Sequence, residues 1–352
     1  MINVKDSKPN ISLTNLAEVQ SSGVLLSLRK GINELFNKKS RKSQFSAASL
    51  KAVEYSKTIS VIICTANRGR LAENAVDSIL NQRFDGSKYE ILVVNNSPDP
   101  LPYKFKSDRV IIVDEPNPGL SIARNRGASA AKGEYLLYID DDAVANENLL
   151  SSIFSAFENQ RAAIIGGQIF LALPEPVPDV FLEGKESLWS AYTVPYSSFR
   201  EIREQYEFPY GACFGIRHSV LDTLGGFPEN YGRTGNNYAG GEETALCFAA
   251  KNMGFKLGIE PNASVIHKVL PDRFTKEHIR RTIREGIITT YRLYLDGYST
   301  SGWTPQYVDE RLRIIKKELL RMNGLPAFYK RCEYDAFSEL KDIMTQKSSD
   351  KE

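Results

Sequence analysis

The sequence predicts an α/β protein: a mostly parallel sheet flanked by helices, followed by a helical C-terminal region. Three observations carry this. From Thr58 to about Phe170, apolar runs rich in β-branched residues alternate with segments of helical period, and such alternation pairs strands in parallel through right-handed crossovers. One run, Tyr135–Ile139, is apolar throughout and opens onto Asp140-Asp141-Asp142; a strand buried on both faces reads this way. Beyond Thr275, apolar residues recur at helical spacing (Ile279, Ile283, Ile287, then Val308, Leu312, Ile315, Leu319), with a break over 297–305.

The elements follow in order. Ile59–Cys64 reads as a buried strand, Thr65–Arg70 as a polar turn, and Leu71–Leu80 as a helix. Tyr89–Val94 forms a second strand ending at Asn95-Asn96-Ser97-Pro98, and Val110–Val113 a third. A helix over Leu120–Ala131 feeds the strand that meets the aspartates; a helix over 147–157 and a strand over 163–170 continue the pattern. Prolines 174, 176, 178 and 195 break it, so 173–209 reads as an irregular excursion over the sheet. Tyr210–Ile216 returns as a strand, and a short helix, Ser219–Leu224, stops at Gly225-Gly226. A Gly/Asn-rich loop over 232–241 precedes a helix over 242–253, and Ala263–Ile266 is a strand ending in His267. The last several residues are expected to be disordered. The division expected is an N-terminal extension (1–57), the α/β domain (58–270) and a helical region (271–352).

Bulk properties exclude several classes. Hydrophobic and charged fractions of 42% and 25% are ordinary for a soluble globular chain of 352 residues. A net charge of +2 gives no general attraction to nucleic acid. The longest nearly uncharged apolar stretch, 162–173, falls short of the roughly 20 residues of a membrane span. Residues 1–10 are polar and unlike a secretory signal, so a cytoplasmic location is expected. Four scattered cysteines without a CxxC spacing read as free thiols. Arg29, Lys30, Lys38, Lys39, Arg41 and Lys42 cluster among Leu25, Leu28, Ile32 and Phe36. Residues 24–36 therefore read as a basic amphipathic helix, either resting on an anionic membrane surface or packed on its own domain.

Four stretches carry chemistry. Adjacent carboxylates at a strand end repel one another and call for a positive partner, for which a divalent cation with oxygen ligands is the simplest. The turn after the first strand lacks both GxGxxG and GxxxxGK[ST], which weakens dinucleotide and P-loop readings; a base or phosphate could still be held from the side by Arg68 or Arg70. Asn117–Gly127 places Arg124 one turn into a helix near the edge that carries Asp140. Glu242 and Glu243 open a helix, where acids are favoured by the dipole and where a carboxylate could also serve as general base. His267, at a strand end, is either structural or a further ligand for the same cation.

Together these pieces resemble the inverting GT-A (Rossmann-like) glycosyltransferases of the large family-two group. The family's run N-x-G-x-x-x-A-R-N-x-G…G-E-Y-hydrophobic-D-x-D is matched almost throughout by Asn117–Gly127 and Gly133–Asp142. Gly225-Gly226-Phe227, Gly241-Glu242-Glu243 and His267 fall in the same order. The resemblance implies that Asp142, Asp140 and His267 hold Mn2+ or Mg2+. It implies that Thr65, Asn67, Arg68, Asn95, Arg124, Asp140 and Asp141 contact the nucleotide sugar. Glu243 takes the place of the catalytic base, with Glu242 beside it as the alternative. Two positions depart from the pattern: Asn95-Asn96 stands where an aspartate is usual, which leaves the choice of base open, and the base is a glutamate where aspartate is usual.

The expectation is thus a metal-dependent inverting glycosyltransferase. It would use a nucleotide-diphosphate sugar donor and a carbohydrate or glycoconjugate acceptor in bacterial surface polysaccharide assembly. It would bind no nucleic acid and would be cytoplasmic, with peripheral contact at the inner face of the plasma membrane left open. The alternatives are a sugar-1-phosphate nucleotidyltransferase and a non-catalytic nucleotide-sugar-binding scaffold.

Overall fold

The computed structural model describes residues 56–66, 70–105, 107–234, 240–299 and 302–349. The basic N-terminal segment, Asn67 and Arg68 lie outside the described residues. Strands β1 (Ser56–Thr65), β2 (Tyr89–Asn95), β3 (Val110–Asp114) and β4 (Gly133–Asp140) are connected by helices α1 (Leu71–Leu80) and α2 (Leu120–Ala130). They pair in parallel in the order β3-β2-β1-β4. After β4 come a three-residue strand β5 (Ala143–Ala145), helix α3 (Leu149–Gln160) and strand β6 (Ile164–Ala172).

Beyond β4 the sheet becomes mixed. Strand β8 (Phe214–Arg217) is antiparallel to both of its neighbours, β4 and β6, and so separates two strands that run the same way. Strand β9 (Leu257–Lys268) pairs in parallel with β6, while β5 and the two-residue β7 (Arg200–Glu201) run antiparallel on β9. The expected strand over 210–216 is shorter than its apolar run suggests, because Gly211–Cys213 turns as a 3-10 helix before β8. β9 extends well upstream of the expected 263–266, because its first half is held by β6 and β7 rather than marked by local composition.

The pleat sorts side chains onto two cores. Ile59, Val61 and Ile63 of β1 face α1 and α3, whereas Ile62 faces α2, α4 (His218–Leu224) and α5 (Glu242–Asn252). Helix α2 lies so close to the sheet that a Cβ on Gly127 would stand 2.5 Å from Ile62 Cγ2. The small-residue spacing of this helix is thus a packing requirement. Helices α6 (Lys276–Leu295), α7 (Pro305–Leu319) and α8 (Gly324–Ser349) form the C-terminal region. The first two match the periodicity in the sequence. The third carries helix through to Ser349, where a disordered tail was expected; residues 350–352 lie outside the described residues. The region is attached through a hydrophobic cluster that includes Trp189, Phe274, Ile279 and Tyr329. No helix among the described residues is long and apolar enough to cross a membrane. All four cysteines are free.

Candidate active site

The carboxyl edge of the parallel half collects the residues singled out from the sequence. Register places Cys64 of β1 opposite Asp140 of β4, Thr65 opposite Asn95, and Asn95 opposite Asp114. In open α/β sheets this edge is where ligands bind. The three aspartates have three different environments. Asp141 is buried and accepts a 2.6 Å hydrogen bond from Thr65 Oγ1, which fixes the β1 turn to the end of β4. Asp142 is also buried, whereas the Asp140 side chain is 33% exposed.

Strand pairing brings Asp142 to His267. Ala143 of β5 pairs with His267 of β9, and the backbone N–H of Lys268 donates to the Asp142 carbonyl at 2.8 Å. His267 Nε2 then lies 3.1 Å from Asp142 Oδ1. The donor atoms of Asp140, Asp142 and His267 all fall within 4.8 Å of one another. His267 Nδ1 is 2.9 Å from the carbonyl oxygen of Trp189, which can only accept, so Nδ1 carries the hydrogen. On the neutral ring Nε2 therefore presents a lone pair towards the carboxylate. Two lone-pair atoms facing each other require positive charge. Two carboxylates with one imidazole suit a divalent ion such as Mn2+, so the residues fit the group. Arg273 also reaches this point: its guanidinium lies 3.3 Å from Asp142 Oδ2 and 3.5 Å from His267 Nε2.

Arg124 links this cluster to the predicted acids. Its Nη1 donates to Glu242 Oε1 at 2.7 Å and to Glu243 Oε1 at 2.8 Å, and its Nη2 is 3.7 Å from Asp140 Oδ1. The guanidinium is buried over the Phe227 ring. Burial alone would lower its pKa, but Glu243, Glu242 and Asp140 together hold it above the ordinary value. Glu242 is fully enclosed; burial and then the charge of Glu243 push its carboxyl up to about 7, against the opposing pull of Arg124. The two acids differ in access, with side chains 2% and 17% exposed for Glu242 and Glu243. Gly241, at φ +102, lets the chain enter α5 in a conformation that L side chains rarely adopt.

The structure thus gathers Asp140, Asp142, His267, Arg124, Glu242 and Glu243, and holds Thr65 with Asp141. Asn95 is buried; its Nδ2 donates to Asp99 O and Asp114 Oδ1, and its Oδ1 has no hydrogen-bond partner among the described residues. Four further residues shape the site. Asn125 holds the Gly226-Phe227 segment by hydrogen bonds in both directions, with its Nδ2 donating to Phe227 O and its Oδ1 accepting from Phe227 N. Gly211 leaves room for the Arg124–Glu243 pair, since a Cβ there would stand 2.0 Å from Glu243 Oε1. Trp189 and Arg273 complete the surroundings of His267. Asn125 sits within the A-R-N motif and could have been noticed; the other three have no local signal.

Residues 60–225 match the family described as Glycosyl transferase family 2. These residues form a family 2 glycosyltransferase domain. This glycosyltransferase is 26% identical over 273 residues to a glucosyl-dolichyl phosphate glucuronosyltransferase of Haloferax volcanii, covering 74% of this chain and 83% of that protein. It is 29% identical over 118 residues to the poly(ribitol-phosphate) beta-N-acetylglucosaminyltransferase TarP of Staphylococcus aureus, covering 31% and 36% of the two chains. Among solved structures, the mannosyltransferase PcManGT from Pyrobaculum calidifontis, in complex with GDP-Man and Mn2+, superposes with a TM-score of 0.48 at 14% identity, covering 90% and 81% of the chains.

Proposed function

We propose that this glycosyltransferase is metal-dependent and inverting, and that it moves a sugar from a nucleotide-diphosphate donor to a hydroxyl of a carbohydrate or glycoconjugate acceptor. The observation that carries the reading is the Arg124 guanidinium shared between Asp140 and the Glu242–Glu243 pair. It ties a cation-binding set of side chains to a candidate base in one buried network. Asp140, Asp142 and His267 are the residues that would hold Mn2+ or Mg2+, whose contribution when bound is positive charge against the diphosphate leaving group. Asn95 and Thr65, at neighbouring strand ends on this edge, are assigned to the nucleotide.

Glu243 is the more accessible acid and is assigned as the base. Its carboxylate takes the proton of the acceptor hydroxyl as that oxygen bonds to the anomeric carbon, and the bond to the diphosphate breaks on the opposite face, which inverts the centre. Arg124, itself held by Glu242, fixes Glu243 in place and keeps it from turning into the core. Tyr210, next to the Gly211 that accommodates Glu243, lines a cavity of about 430 Å3 between β6 and the first part of the 173–209 excursion. We assign this cavity to the acceptor. The Haloferax relative is named for a glucosyl-dolichyl phosphate, which supports an acceptor that is itself a glycoconjugate and a place in surface polysaccharide or glycoconjugate assembly.

The test is a screen of nucleotide sugars for binding and slow hydrolysis, with Mn2+, with Mg2+ and in excess chelator. Binding is expected to vanish in chelator and to return with metal. Full-strength binding in chelator would refute metal dependence.

A further inference from the structure

We propose that Arg273 is a resident cation: it sits against both Asp142 and His267 when no metal is bound and must leave before a divalent ion can enter. The inference rests on the metal reading above and concerns what that metal displaces. The side chains of Asp142 and His267 are each only 1% exposed, and a buried carboxylate facing an imidazole lone pair is costly without a positive charge beside it. Arg273 supplies that charge. One guanidinium nitrogen is 3.3 Å from Asp142 Oδ2 and another 3.5 Å from His267 Nε2, so it addresses the same two residues that a metal would use. Guanidinium cannot deprotonate to make way, so both cations cannot engage these atoms at once.

The contact is built to yield. Both distances are longer than the roughly 2.7–2.9 Å of strong charge-assisted hydrogen bonds, and the side chain is 15% exposed, which leaves a way out to solvent. The backbone, by contrast, is fastened. Arg273 N donates to Leu270 O at 3.0 Å, and Arg273 O accepts from the indole N–H of Trp189 at 3.3 Å. The same Trp189 takes the Nδ1 hydrogen of His267 on its own carbonyl and stacks on Phe274. One residue of the excursion thus orients the imidazole and anchors the competing arginine, so the guanidinium can swing while its attachment point stays in place.

The experiment measures Mn2+ affinity of the full chain without donor, by titration calorimetry or by the EPR signal of free Mn2+, alongside thermal unfolding in chelator. Removing a like charge from the first few ångströms around a divalent ion strengthens its binding, here by roughly tenfold or more. Arg273→Gln and Arg273→Met are expected to bind Mn2+ at least about tenfold more tightly than wild type. In chelator they are expected to melt at lower temperature, and Mn2+ should recover the loss. Arg273→Lys keeps the charge and is expected to stay within a few-fold of wild type. Solubility of the Gln or Met variant only in the presence of Mn2+ is the same result in stronger form. Unchanged or weaker Mn2+ binding with an unchanged melt in chelator would overturn the role of Arg273 while leaving the metal site standing. Absence of Mn2+ binding by every variant and by wild type would overturn the metal reading itself, and this inference with it.

Discussion

Gly211→Ala places a single methyl group between the two charged partners at the centre of the site. The added Cβ would lie 2.0 Å from Glu243 Oε1 and 2.3 Å from Arg124 Nη2, more than an ångström inside the 3.4 Å at which ordinary contact begins. Arg124 cannot easily retreat, because it is buried and held by Glu242 and Asp140 as well as Glu243. The more exposed Glu243 is therefore the side chain that moves, by about an ångström. Overpacking of this kind costs about 1–3 kcal/mol, or several degrees in melting temperature for a domain of this size. Displacing a proton acceptor by about 1 Å costs on the order of 100-fold in rate. The assay pairs thermal unfolding with sugar transfer at saturating donor, and uses Gly286→Ala as control. Nothing lies within 4 Å of the Cβ position at Gly286, and it sits inside α6, where alanine is favoured by about 0.5–1 kcal/mol. Normal transfer and an unshifted melt in Gly211→Ala would refute the assignment of Glu243 to the reacting centre.

Three further outcomes are expected. Glu243→Gln should retain donor binding and lose roughly 10²–10⁴-fold in transfer; near-normal transfer beside an inactive Glu242→Gln would move the base one residue back. Glu242 has a folded-state pKa raised by burial to about 7, so between the unfolded carboxyl value near 4.3 and that point the folded state binds more protons. Stability contributed by this group is therefore present at low pH and lost as pH rises through the window. Melting curves from pH 4.5 to 8 should show wild type losing ground to Glu242→Gln, and the opposite slope would refute the shift. Deleting residues 1–50 should leave turnover on a soluble acceptor nearly intact and weaken sedimentation with anionic vesicles much as added salt does; a truncated chain that cannot fold would show instead that the segment belongs to the domain.

The sequence alone determined the parallel half of the sheet, because alternating apolar runs and helical periods are local signals and right-handed crossovers leave little choice of topology. It also determined where the chemistry gathers: strand ends that stop at Asp140, Thr65 and Asn95 must lie on one edge once the strands are parallel. Asn117–Gly127 was legible for the same reason, since Gly127 and Arg124 sit at fixed helical spacing. Tertiary structure decided the remainder, through contacts between residues far apart in the chain. Only the β5–β9 pairing sets Asp142 against His267. Only the approach of α5 to α2 sets Arg124 against Glu242 and Glu243. Gly211, Trp189 and Arg273 carry no periodicity or motif, because each acts on a group distant in the chain: Glu243, His267 and Asp142 respectively. The insertion of β8 between β4 and β6 was hidden likewise, since an apolar strand reads the same whichever direction its neighbours run.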